Sequence, residues 1–221
     1  GGREIPMCRI QREAMFREGL TGLYETHKKA NNKGLLKYYD GEQEKKDILS
    51  VNNFGTFKTK STFGLDDFIG NDNLSYDNQI GSIGGGNHFV EMQKVSELFD
   101  PQAAYLLGLK KDSIVIMLHT GSLSIGHLTG SYFIEVMKEL YPEKLKNPEN
   151  GIYLLPETEK YKEEWNLFWT SLYNSANFAA ANRMFLGLMI KKAIFDELGE
   201  CKFKLVYDAS HNFVWREKID S

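Results

Sequence analysis

The chain has 221 residues, with 27 Lys and Arg against 30 Asp and Glu, for a net charge of −3. Its overall field does not attract nucleic acid, so any such partner has to be held by a local basic patch or a bound cation. Hydrophobic residues at 42% and aromatics at 13% suffice to fill a core and exclude a disordered chain, and no stretch approaches the roughly 20 consecutive apolar residues of a membrane span.

In chain order, residues 7–40 read as helical, with polar punctuation at Asn31-Asn32-Lys33-Gly34. The basic run Lys28, Lys29, Lys33 and Lys37 in that stretch reads as a solvated face. From Asn52 to Asn78, Gly, Asn, Asp, Ser, Thr and Phe recur without a steady period, which predicts loops and short strands and leaves room for a lid over a site. Residues 90–95 predict a strand leaving a glycine turn. Residues 113–118, a continuous run rich in β-branched side chains, predict a strand buried on both faces. Residues 131–140 read as a helix stopped by Tyr141-Pro142, followed by a polar connection. Residues 161–198 read as a long helix with Gly199 as its stop signal. Within it, the small residues of 174–183 suit close packing, Phe178 and Phe185 suit a core, and Asn177, Asn182 and Arg183 suit either packing or a polar site. A last strand over 203–207 runs into Asp208-Ala209-Ser210-His211-Asn212. Alternating strands and helices predict an α/β or α+β domain with a mixed sheet and flanking helices.

Two cysteines, Cys8 and Cys201, make no disulfide framework and suit a reducing, cytoplasmic compartment; with His27 they read as structural. Gly1 in place of an initiating Met reads as a cloning scar, a processed end or a fragment.

Three of the five histidines share one setting, a polar loop abutting a strand. His88 follows Gly84-Gly85-Gly86-Asn87 and opens a strand, His119 closes one and leads into Thr120-Gly121-Ser122, and His211 follows the last. Ligand sites gather where loops converge at strand ends, and imidazole is a good ligand for Mn, Fe, Co, Ni, Cu and Zn. The three can hold one metal, or share two with help from carboxylates or a thiolate, or serve as hydrogen-bonded structural residues. The glycine run from Gly81 lets a backbone approach a phosphate closely, yet it lacks the Gly-Lys-Ser/Thr of a phosphate loop and the following helix of a dinucleotide fold.

Four segments in this order, Gly81-Ser82-Ile83-Gly84-Gly85-Gly86-Asn87-His88-Phe89-Val90-Glu91, His119-Thr120-Gly121-Ser122, Asn177-Phe178-Ala179-Ala180-Ala181-Asn182-Arg183 and Asp208-Ala209-Ser210-His211-Asn212, resemble the RtcB family of RNA-splicing ligases. The resemblance implies a ligase that uses GTP and two Mn²⁺ ions to join an RNA 3′-phosphate (or 2′,3′-cyclic phosphate) end to a 5′-hydroxyl end. It implies His88, His119 and His211 as metal ligands, and Asn87, Phe89, Glu91 and Asn212 as positions near the guanylate. It also implies that residues 1–221 are the central part of the family's catalytic domain. The resemblance places an Asp-x-x-Cys segment upstream of it and the histidine that accepts GMP downstream; Cys8 does not substitute for the former, because Ile5 stands where the acid would be. His27 and His127 are the remaining histidines to test as acceptors within the chain. Leu123 stands where the family has an arginine. Two further readings remain beside this one: a non-catalytic metal- or RNA-binding fragment (or half of a ligase completed by a second chain), and a metal-dependent phosphoesterase.

Overall fold

Residues 174–183 are all buried, ten in a row, and the fold is arranged around them. A helix segment hidden on every side has to be surrounded by other elements, and this one is. The computed structural model describes residues 5, 9–27, 35, 38, 40–62, 79–199 and 203–217. Along these, five helices and a two-stranded antiparallel sheet follow in the order α1 (Arg9–His27), α2 (Gly41–Ile48), β1 (Phe89–Lys94), α3 (Pro101–Leu107), β2 (Ile114–His119), α4 (Leu123–Leu140) and α5 (Lys162–Leu198). Mixed α and β character is what the sequence implies. The basic run, the N-terminal residues and most of the suggested lid lie outside the described residues, as do Cys8 and Cys201.

Helix α5 is the axis. α1 and α4 both pack on it, and α2 packs on α1. Ala179, Ala180 and Ala181 keep the helix thin enough for its neighbours to approach, while Phe178 and Phe185 are fully buried. Phe178 stacks on Phe16 of α1 at 5.9 Å between ring centres, and Met15, Leu20 and Leu23 complete that contact. The approach is tightest at Gly19, where α1 kinks with φ 58° and ψ −142°. A Cβ there would lie 2.1 Å from the Gly55 carbonyl oxygen. Asn177 fastens the same region: its Nδ2 donates to the Phe16 and Phe57 carbonyls, and its Oδ1 accepts from the Phe57 N–H.

Three expectations change. Helix α4 starts at Leu123 rather than residue 131, because Ile125, Thr129 and Phe133, four apart, bury one face and outweigh the poor propensity of Gly126 and Gly130. The 113–118 strand is not buried on both faces. Among the described residues it pairs only with β1, in the register Phe89↔His119 to Lys94↔Ile114, and this two-stranded ribbon leaves Met92, Ile114 and Met117 exposed at 69%, 60% and 48%. The last strand does not form over 203–207. Its continuation makes one parallel bridge, Val51↔Asp208; the residues this register would set opposite 203–207 are the end of α2 and its closing turn, and beyond the bridge residues 52–55 coil into a 3₁₀ turn. No described helix is long and apolar enough to cross a membrane.

Candidate metal centre

The three histidines arrive on three separate segments. His88 ends the glycine loop, one residue before β1, and His119 ends β2. Because Phe89 pairs with His119 across the ribbon, the loop delivers His88 beside the end of β2. His211 comes from the bend after the Asp208 bridge. One ring nitrogen from each lies within 4.8 Å of the others. His119 Nε2 and His211 Nε2 are 2.9 Å apart, close to the roughly 3 Å between two nitrogens bound at right angles to an ion about 2.1 Å away. His88 Nδ1 is buried with no hydrogen-bond partner. Converging imidazoles, one with an orphaned nitrogen, fit a divalent transition metal. Burial first, then the neighbouring His119, the Arg183 guanidinium and His88, push the His211 pKa below its ordinary value, which favours the neutral, metal-binding imidazole.

Loop geometry requires particular residues. Gly84 adopts φ 94°, and a Cβ there would meet His88 Nδ1 at 2.8 Å and the Leu123 side chain at 2.7 Å. Leu123 itself is left-handed at φ 54°. With Gln79, Ser82, Gly85, Ser124 and His127, these residues line a cleft of about 600 Å³ beside His88. Behind the loops, α5 supplies Asn182 and Arg183. Asn182 Oδ1 accepts from the N–H groups of Gly81 (2.7 Å) and Ser82 (3.1 Å). Its Nδ2 donates to the Ser82 and Gly121 carbonyls at 2.9 and 3.1 Å. Thr120 Oγ1 donates to the Ile83 carbonyl at 2.6 Å, joining the same two loops. Arg183 Nε donates to Asp208 Oδ1 at 2.7 Å and its Nη1 to the Thr120 carbonyl at 3.3 Å.

The other sequence-derived positions fall around this centre. Phe89 sets its ring edge-on to His119 at 5.3 Å. Strand alternation places Glu91 on the ribbon face of Phe89 and His119, where it is exposed and accepts from Gln93 Nε2. Asn87 and Asn212 are exposed beside His88 and His211, Asn212 with φ 51°. His27 instead sits in the core against Phe185, 2% exposed, with its pKa lowered by burial to about 4. The sequence reading names Asn182 and Arg183 without giving them to the site, and passes over Thr120 and Asp208 as supports. The available signal was an amide and a guanidinium standing in an Ala-rich helix.

The family model described as tRNA-splicing ligase RtcB matches residues 13–221. Among curated relatives, proteins named tRNA-splicing ligase RtcB from Pyrococcus horikoshii and Methanococcus maripaludis are 33% and 32% identical over 140 and 145 residues. One from Thermococcus kodakarensis is 30% identical over 146. These stretches cover 61%, 63% and 63% of this chain but only 16%, 30% and 30% of the relatives. With three histidines gathered at the ends of its loops and a family match over nearly its whole length, the chain belongs to the RtcB family.

Proposed function

We propose that the chain forms the metal-binding portion of a GTP- and Mn²⁺-dependent RNA ligase, joining RNA 3′-phosphate (or 2′,3′-cyclic phosphate) and 5′-hydroxyl ends in tRNA splicing or RNA repair. The observation that carries this is the convergence of His88, His119 and His211 in a member of that family. These three residues hold the cation. Asn87 and Asn212 offer amide donors to phosphate oxygens, Glu91 a carboxylate acceptor, and Phe89 an apolar wall beside His119. A bound divalent ion would supply the positive charge against phosphoryl oxygens that this net-negative chain lacks. The GMP acceptor and any further metal ligand come from segments beyond these residues or from a second chain. Of the two histidines left, His27 is sealed in the core, while His127 lines the cleft next to His88.

Calorimetric titration with Mn²⁺ tests the metal reading. Wild-type protein binds, and His88→Ala and His119→Ala each weaken binding at least about tenfold; unchanged binding in both variants overturns it. Incubation with GTP, Mn²⁺ and RNA carrying the two end types tests the reaction. A joined, GTP-dependent product supports ligation, whereas Mn²⁺-dependent phosphoester hydrolysis without GTP favours a phosphoesterase.

A further inference from the structure

One pair of adjacent residues on α5 touches all three histidine-bearing segments. Asn182 bonds the backbone of Gly81 and Ser82, upstream of His88, and the carbonyl of Gly121, two residues after His119. Arg183 bonds the Thr120 carbonyl, adjacent to His119, and the carboxylate of Asp208, three residues before His211. Both side chains are buried, at 0% and 8% exposure, in the helix turn that is enclosed on every side. The segments make few regular backbone contacts with each other: His88 and His119 share the ribbon, whereas the His211 segment makes one isolated bridge, Val51↔Asp208, to a stretch that carries none of the three histidines.

We propose that Asn182 and Arg183 are positioning residues for the metal centre, setting the spacing of its three imidazoles from a rigid helix behind the loops. The proposal rests on the metal reading above and deepens it. An Asn amide suits the task because it accepts and donates at once, so one side chain ties an N–H pair of one loop to carbonyls of both. A guanidinium suits it because its fork meets a carboxylate and a carbonyl in fixed directions, which an ammonium does not reproduce. Groups that orient metal ligands from behind typically change metal affinity by about 10- to 100-fold when removed.

Asn177 is the control. It lies on the same buried turn region of α5, is also 0% exposed, and ties Phe16 to Phe57, segments that carry none of the three histidines. Co²⁺ is the probe, since its visible absorption reports both binding and ligand arrangement. Titrations and thermal melts are compared for the full chain and for Asn182→Ala, Arg183→Lys, Asn177→Ala and His119→Ala. The expected result is Co²⁺ binding at least about tenfold weaker, with an altered band, in Asn182→Ala and Arg183→Lys. Asn177→Ala is expected to lower the melting temperature yet keep wild-type binding and band. Arg183→Lys retains the charge and serves as the decisive variant if Asn182→Ala does not fold. Wild-type binding in both site-facing variants overturns the proposal, as does equal weakening in Asn177→Ala. If those variants bind normally while His119→Ala does not, only the positioning role falls. If His119→Ala also binds normally, the metal reading falls with it.

Discussion

Arg183 and Asp208 meet at 2.7 Å with side chains only 8% and 12% exposed. Removing one partner from such a pair leaves a charge in the interior, and that typically costs about 3–5 kcal/mol. Arg183→Met is therefore expected to destabilise the fold by about 3 kcal/mol in urea unfolding, and Arg183→Met combined with Asp208→Leu by clearly less. A double variant that loses the sum of the two single losses would show that the pair is not coupled. Glycines offer a second contrast. Gly19→Ala combines a left-handed φ with a Cβ 2.1 Å from a backbone oxygen, so a loss of at least about 2 kcal/mol is expected. Gly85→Ala, in the more conspicuous glycine run, meets nothing within 4 Å and has no positive φ, so it should stay within about 0.5 kcal/mol of wild type. Glycine clustering in the sequence thus points at the right loop, but not at which of its glycines, Gly84 rather than Gly85, is constrained, nor at Gly19 outside it.

Among the elements, the central helix is legible from its pattern and its Gly199 stop: the sequence predicts 161–198, and the helix spans Lys162–Leu198. What the pattern does not reveal is whether neighbours exist. A β-branched run looks the same on a sheet covered on both faces and on an exposed ribbon, so the pattern predicts burial for β2 where Ile114 and Met117 are exposed. Likewise Phe203, Leu205 and Tyr207 alternate as a strand does, yet the residues a parallel register would set opposite them, 46–50, are the end of α2 and the turn that closes it. Stability should follow the observed burial. Phe178→Ala, on the fully buried face of α5, is expected to cost about 3–5 kcal/mol. Met92→Thr, on the exposed ribbon, should leave the urea midpoint nearly unchanged. Equal losses would place the ribbon inside the core.

Across the whole molecule, two buried titratable groups pull stability in opposite directions with pH. Burial, reinforced by Asp47 and Asp40 and opposed by Lys191, pushes the Glu44 pKa from 4.5 up to about 7. Between those values the folded chain keeps a proton that the unfolded chain has released, so the Glu44 contribution fades as pH rises and is lost above about 7. His27 behaves the other way. Its pKa falls from 6.5 to about 4, so its contribution is present above 6.5 and is lost as pH falls toward 4. Glu44→Gln is therefore expected to raise stability at pH 8, by an amount on the order of 1–3 kcal/mol, and to steepen the decline between pH 6.5 and 5. Urea midpoints at the three pH values check both parts; a variant no more stable than wild type at pH 8 would contradict the assignment. At this scale the candidate site was legible as three histidines at loop–strand junctions, because sequence shows where loops meet strands. Its support was not, because bonds such as Asn182 to Gly81 span 101 residues.

The His119–His211 contact closes across 92 residues, and neither segment has any local reason to find the other. The site cannot exist on a growing chain until its last described stretch has been made and has docked on α5. A metal bound as proposed, only by the finished arrangement, would act as a proofreader of assembly. It would stabilise the correctly closed chain by mass action and leave any chain whose 203–217 stretch has not docked unloaded and open to proteolysis.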